Sequence, residues 1–600
     1  MKRYIVALAS VALVVSCGKR EPMSISQRAE RFAEGYSDTF QELYYRSSEA
    51  EWASMTHIVQ GDTTNAGRVQ RANEAMAAFT GSAFNISKAQ FFLSKRDSID
   101  PLVIRQIETI LYRAANNPST VQELVSERIR MENAQSEVLY GFSYMIDDGP
   151  VTTNDIDDIL RNETDIERRL KAWESSKEVG RELKEGLETL KNLRNSTVRA
   201  LGYEDYFSYQ VSDYQMDKME MLDINQNLIR DIWPLYRELH TYLRYELAEK
   251  YGQPVPEMLP AHWLPNRWGQ DWSSSVEVSG FDLDQVLSEK DPEWLIKKAE
   301  DFYVSLGFEE LPSSFYKKSS LYPVPAEADY KKNNHASAWH MDLKEDVRCL
   351  MSIVPNAEWY ETTHHELGHI YYYMAYSNDS VPILLRGGAN RAYHEAIGSM
   401  LGLAAMQQPF LENAGLIPEG VEVNKVEVLL KEAMNYIVFI PFSAGVMTEF
   451  EYKLYSEELP MDLFNQTWWD LKRKYQGIEP PYERSEEFCD AATKTHINDD
   501  AAQYYDYALS YALLFQFHEH ISKNILHQDP KETNYYGNKE VGKWLNGILS
   551  VGATKDWRRL LEESTGQPLS AQPMLNYFAP LMKYLQKVNE GREHTLPENI

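Results

Sequence analysis

The stretch ETTHHELGHIYYYMAY, residues 361–376, holds two histidines four apart, His365 and His369, with Glu366 beside the first. Residues at that spacing share one face of an α-helix, one turn from each other. Read as a helix, the stretch aims two imidazoles at a single ion, and zinc suits imidazole ligands in tetrahedral geometry. Glu366 projects to the side of such an ion, where the general base for a metal-bound water belongs. The plain alternative is a polar helix surface with a chance spacing, and in a chain with 14 histidines that coincidence is rare.

A catalytic zinc needs a third protein ligand and an open position. The next helical stretch is GANRAYHEAIGSMLGLAAMQQP, 388–409, and it carries Glu395, 26 residues after His369. The intervening chain is long enough to turn and bring a second helix back, so Glu395 is read as the third ligand. Other carboxylates meet the same requirement in principle, and spacing alone does not choose among them. His394 projects about 100° away from Glu395 around the helix and reads as a supporting or packing residue, with ligation the lesser alternative.

Outward from this pair the chain reads mostly as helix. Residues 26–55, 166–202 and 228–251 keep apolar and aromatic side chains at three- and four-residue spacing, the last with Pro234 as a point where it can bend. Loops dense in Pro, Gly and Asn fall at 252–270 and 311–334. Residues 335–355 contain short alternating and β-branched runs, which predict a small strand pair just before the motif helix. No internal repeat or Gly/Ser linker divides the chain. The expected fold is mainly α: one large domain, 24–600, in two lobes around a deep central cleft, with a very small β element near the zinc helix.

The chain has 600 residues, 43% of them hydrophobic, and a net charge of −29. That balance repels phosphate and argues against a nucleic-acid partner. The start, MKRYIVALASVALVVSCGKREP, combines Lys2 and Arg3 with an apolar run too short for a membrane span, ending at Cys17. It reads as an export signal, 1–17, of the bacterial lipoprotein type, with lipidation at Cys17 and a short tether, 18–23. The expected location is the cell envelope, periplasm-facing or at the outer membrane, held by the lipid alone. Gly18, where no aspartate stands, leans away from inner-membrane retention. Cys349 and Cys489 remain as two buried thiols or one disulfide.

HHELGHIYYYMAY followed by LRGGANRAYHEAIGSMLGL closely resembles the angiotensin-converting enzyme family of zinc peptidyl-dipeptidases. PAHWLPNRWGQDW (260–272), HASAW (335–339), KYQG (474–477) with the prolines after it, LLFQFHEHI (513–521) and the N-terminal FAEGYSDTFQELYYRSSEAEWASMT (32–56) are similar to family segments in the same order. The resemblance covers essentially the mature chain. It implies a helical fold with a buried site, a lid of N-terminal helices, one zinc per chain, and release of dipeptides from the free C-termini of oligopeptides, by a protein expected to be a monomer.

Carried over residue by residue, the resemblance makes His365, His369 and Glu395 the zinc ligands and Glu366 the base that deprotonates a zinc-bound water and returns the proton to the leaving amine. It puts His496 and Tyr507 beside the oxyanion, and His335 and Ala336 on an edge that holds the peptide backbone. Gln270, Lys494 and Tyr504 match the trio that grips the C-terminal carboxylate, a clamp that acts as a ruler from the zinc. The segment after His496 is one residue longer than the family pattern, which makes Gln503 and Asp506 the alternatives to Tyr504 and Tyr507.

Four departures stand out. Ser399 occupies the position of an aspartate that orients a zinc histidine through its second nitrogen, which predicts weaker zinc binding or altered pH dependence. Asp506 and Lys472 replace arginines that hold chloride, so chloride dependence is expected to be weak or absent. The family's cysteine pair is missing, with Asn334 and Ser352 in its place. Two other readings stand beside peptidyl-dipeptidase: a zinc carboxypeptidase or oligopeptidase of shifted specificity, and a peptide-binding homologue impaired by the Ser399 change.

Overall fold

The computed structural model describes residues 23–59, 63–325 and 327–600. The signal-type segment with Cys17, and the tether as far as residue 22, lie outside the described residues.

Helix α1, Ile25–Thr56, starts at a reciprocal cap. The Ser24 hydroxyl accepts from the Gln27 amide and the Gln27 side chain accepts from the Ser24 amide. Helix α2, Thr64–Thr80, packs along it. Helix α3, Ala83–Leu93, is capped by Ser82, and α4, Pro101–Ala115, by Asp100 with Pro101 at its first position. These helices share a small core of their own, built on Tyr36, Phe40, Phe92, Ile104 and Ile107, to which Leu343 and Leu384 are the contributions of the body. Farther along α1, Trp52 packs with Met341 and Leu350.

The body is organised by two 34-residue helices, Ile166–Arg199 and Lys218–Tyr251. The second runs without interruption through Pro234. One connected core extends from Trp173 and Trp233 to Leu367, Met400, Leu509 and Leu513. Strands are few: each of the three sheets among the described residues has two. One of these, Ser337–His340 antiparallel to Val347–Leu350, is the strand pair expected before the motif helix, with Ala338 opposite Cys349. Cys349 and Cys489 are both buried and free. No described helix is long and apolar enough to cross a membrane.

A cleft of about 1580 Å³ opens between α1–α4 and the body. Tyr44 of α1 and Arg105 and Thr109 of α4 line one side; the strand pair, the motif helix and the helix that follows it line the other.

Candidate metal centre and catalytic cleft

The motif helix, Ala357–Tyr376, is capped by Asn356, whose side chain accepts from the Trp359 amide. The glutamate helix, Arg391–Ala405, is capped in the same way by Asn390. Gly368 and Gly398 meet where the two helices cross: a Cβ on Gly368 would lie 2.9 Å from the Gly398 Cα, and one on Gly398 would lie 3.0 Å from the His365 carbonyl oxygen. Without side chains at these two positions the helices touch backbone to backbone. Glu395, one turn before Gly398, is thereby delivered to the histidines.

His365 Nε2 and His369 Nε2 lie 3.1 Å apart. The Glu395 carboxylate oxygens are 3.7 Å from His365 Nε2 and 4.0 Å from His369 Nε2. Among the described residues this is the group of metal-ligating side chains whose donor atoms fall within 4.8 Å of one another. Donors on a tetrahedral zinc, about 2.0–2.2 Å from the ion, stand a little over 3 Å apart, so the three side chains fit that ion with small adjustments. Burial lowers both imidazoles to about 4, for His365 with help from His369. They are therefore neutral, the form that ligates.

The outer nitrogens of both histidines have partners. His369 Nδ1 faces His394 Nδ1 at 2.9 Å, and His365 Nδ1 faces the Ser399 hydroxyl at 3.4 Å. Neither partner carries a charge that could strengthen the ligand, because burial holds His394 well below its ordinary range. Glu366 lines the cleft beside the histidines, and burial, followed by the charge of Glu395, pushes its carboxyl up to about 8.

The remaining candidates form a continuous series leading away from Glu395. Glu395 and Tyr507 line the same cleft. Tyr507 Oη lies 3.3 Å from His496 Nε2, and the His496 ring meets the Tyr504 ring edge-on at 4.9 Å between centroids. Tyr504 Oη donates to Gln270 Oε1 at 3.4 Å, and Lys494 Nζ donates to the same oxygen at 2.9 Å. Tyr507, His335 and Ala336 line the cleft; Gln270, Lys494, His496 and Tyr504 are not part of its wall. Burial, with Arg267 and Lys177 nearby, lowers the Lys494 ammonium to about 7. His335 and Ala336 immediately precede the strand Ser337–His340.

The two pairs of alternatives after His496 differ in what their side chains touch, Tyr507 facing His496 and Tyr504 facing Gln270. Asp506, about 100° around its helix from Tyr507, is buried, accepts from the Tyr214 hydroxyl and lies 3.3 Å from Arg391. Gln503 donates to Asp500. Lys472 is buried and donates to the Trp268 carbonyl and to Gln476. Asn334 and Ser352 are joined by a hydrogen bond of 3.2 Å from the serine hydroxyl.

Three contributions escape a reading by motif. Gly368 and Gly398 are one. Ser443 is another: it sits in a π-helical turn, Pro441–Met447, where its hydroxyl donates to the Tyr504 carbonyl at 2.6 Å and accepts from the Ala508 amide. Arg391 is the third, pairing with both Asp500 and Asp506. The glycines alone left a signal, each standing within one helical turn after its helix's His-Glu pair, in HELG and HEAIG.

A helical body in which an HExxH helix is crossed by a second helix bearing a glutamate defines the HExxH-plus-glutamate class of metallopeptidase. The family profile described as angiotensin-converting enzyme matches residues 23–596, and the chain belongs to that family. Angiotensin-converting enzyme of Mesocricetus auratus is 31% identical over 592 residues, covering 94% of this chain and 43% of its own length. Those of Rattus norvegicus and Sus scrofa are each 30% identical, over 594 and 598 residues. The chain spans less than half the length of these relatives.

Proposed function

We propose that this chain is a zinc peptidyl-dipeptidase, releasing C-terminal dipeptides from oligopeptides. The observation that carries the proposal is the series that starts from Tyr507, in the same cleft as Glu395, and runs through His496 and Tyr504 to Gln270 and Lys494. It joins a metal-ligand cluster to a buried cation and two neutral donors.

His365, His369 and Glu395 would hold the zinc, which when bound acidifies a water and polarises the scissile carbonyl. Glu366 takes the proton from the attacking water and passes it to the leaving amine. His496 and Tyr507 donate to the oxyanion that develops on the carbonyl. His335 and Ala336 hold the peptide backbone along the strand edge. Lys494, Gln270 and Tyr504 bind the free C-terminal carboxylate, and their fixed distance from the cluster selects the bond two residues in from the end.

Chloride has little to bind: Asp506 already occupies Arg391, and Lys472 spends its hydrogen bonds on Trp268 and Gln476. The protein acts as a monomer of one catalytic domain, 24–600, exported and tethered by lipid at Cys17. The 3.4 Å contact of Ser399 favours a second reading, a peptide-binding homologue with impaired turnover. Mass spectrometry of products from a ladder of N-terminally blocked peptides tests the choice. C-terminal dipeptides are expected. Single residues or internal fragments overturn the dipeptidase reading, and no product with zinc bound favours the impaired homologue.

A further inference from the structure

The outer face of α1 and α3 carries a shallow groove of about 620 Å³. Its wall includes Arg28, Arg31 and Lys88 together with Phe84 and Met23, and contains no carboxylate. In a chain of net charge −29 that is an unusual surface. Phe84 is 65% exposed and Phe91, beside the groove, 41%. The cations stand over these rings, Lys88 over Phe84 at 5.7 Å and Arg28 over Phe91 at 5.8 Å. None of the three cations has an ion-pair partner among the described residues. Glu30 falls about 200° around α1 from Arg28 and about 100° from Arg31; Glu34, one turn beyond Arg31, is about 60° from it, and neither lines the groove. Asp100, whose amide meets the Ser26 hydroxyl, uses its carboxylate to cap α4. Helix α3 contains no acidic residue at all.

Met23 at the edge of this groove is six residues after Cys17. A fully extended tether of that length reaches no more than about 20 Å. Lipid at Cys17 would therefore keep this face close to a bilayer, while the acidic remainder of the molecule is repelled by anionic headgroups.

We propose that the Arg28–Arg31–Lys88 face of α1 and α3 seats on an anionic phospholipid surface, with Phe84 and Phe91 entering the interface. The proposal rests on the lipid-anchor reading for its geometry, and its chemistry is independent of it: cations over aromatic rings at a surface partition into the headgroup region, where phosphates meet the charges and acyl chains meet the rings. Tyr44 lies about 160° around α1 from Arg28 and lines the cleft. Seating would thus hold the wall of the cleft between membrane and body.

The test uses the full chain purified from membranes and reconstituted in phosphatidylglycerol–phosphatidylethanolamine vesicles with brominated acyl chains. An environment-sensitive fluorophore is placed at Phe84→Cys or, as a control on a distant hairpin, at Met145→Cys; Cys349 and Cys489 are buried and leave the label specific. Quenching is expected at position 84 and not at 145. The triple change Arg28→Glu, Arg31→Glu, Lys88→Glu should abolish the quenching while the chain still floats with the vesicles through Cys17. A label at 84 as unquenched as that at 145, in a chain that floats, overturns the proposal and leaves the anchor standing. Equal quenching in neutral phosphatidylcholine vesicles, untouched by charge reversal, also overturns it. Quenching in the parent with loss of flotation in the charge-reversed chain supports the surface and overturns the anchor. An unchanged melting temperature in the triple variant, whose altered residues lie at the surface, excludes misfolding as the cause of a lost signal.

Discussion

A Cβ added to Gly368 would stand 2.9 Å from the Cα of Gly398. The backbone contact between these two glycines sets the separation of the motif helix from the glutamate helix, and with it the distance from Glu395 to the histidines. Gly398→Ala would press a methyl group against the His365 carbonyl and ring, each about 3.0–3.1 Å away. Overpacking of this kind typically destabilises by about 1–3 kcal/mol. Zinc affinity, measured by competition with a chelating dye, should fall together with the melting temperature. An alanine variant with unchanged affinity would mean that the crossing does not position the ligands.

Ser399 supports His365 with a neutral hydroxyl at 3.4 Å, at the outer limit of a hydrogen bond. Ser399→Asp should bind zinc more tightly, on the order of tenfold to a hundredfold, as supporting carboxylates do elsewhere. Ser399→Ala should change affinity little. If Ser399→Ala loses as much affinity as Ser399→Asp gains, the serine is a stronger partner than its distance implies.

Glu366→Gln should retain zinc and lose turnover. The amide keeps the shape of the carboxyl but cannot accept the water's proton. Metal content and product release, measured on the same preparation, check both halves, and turnover equal to the parent's would assign the base to another residue.

Lys494 gives a pH dependence of known sign. Its ammonium is lowered from the usual lysine range to about 7, so in the free protein it is charged below that pH and neutral above it. A substrate carboxylate binds the charged form. KM should therefore rise as pH climbs through 7, approaching about tenfold per unit once the lysine is mostly neutral. Substrates with an amidated C-terminus should bind poorly at every pH and lack this rise. Initial rates across pH 6–9 for the two substrate forms, about one pH unit either side of the transition and beyond, make the comparison.

Sodium chloride should leave the rate nearly unchanged beyond ordinary screening, because the Asp506 carboxylate already faces Arg391 at 3.3 Å. Steady-state rates in chloride and in acetate at equal ionic strength test this; selective stimulation by chloride would place an anion site elsewhere.

Much of this was legible in the chain alone. The helices expected from apolar spacing at 26–55, 166–202 and 228–251 are found at Ile25–Thr56, Ile166–Arg199 and Lys218–Tyr251, because a helix face must be buried whatever it packs against; the last begins ten residues earlier than expected, at the Asp217 cap. His365, Glu366 and His369 follow from a four-residue spacing that any helix converts into a shared face. Glu395 was read from a second helical stretch a short turn after the motif, whereas the clamp trio and the Tyr507–His496 pair were named through resemblance, since residues more than 200 positions apart, such as Gln270 and Lys494, leave no local periodicity to read.

What the sequence by itself determined is therefore the local part: which segments are helical, and which residue types stand at ligand spacing on one of them. The tertiary structure decided the rest. It settled that Tyr507 and not Asp506 faces His496, that Asn334 and Ser352 meet across the absent cysteine positions, and that three uncompensated cations gather on one outer face. The physical reason is the same in each case. Contacts made across helices depend on how closely two backbones approach, and at the centre of this protein that approach is set by two glycines, Gly368 and Gly398, whose lack of a side chain matters only once each is seen against the other.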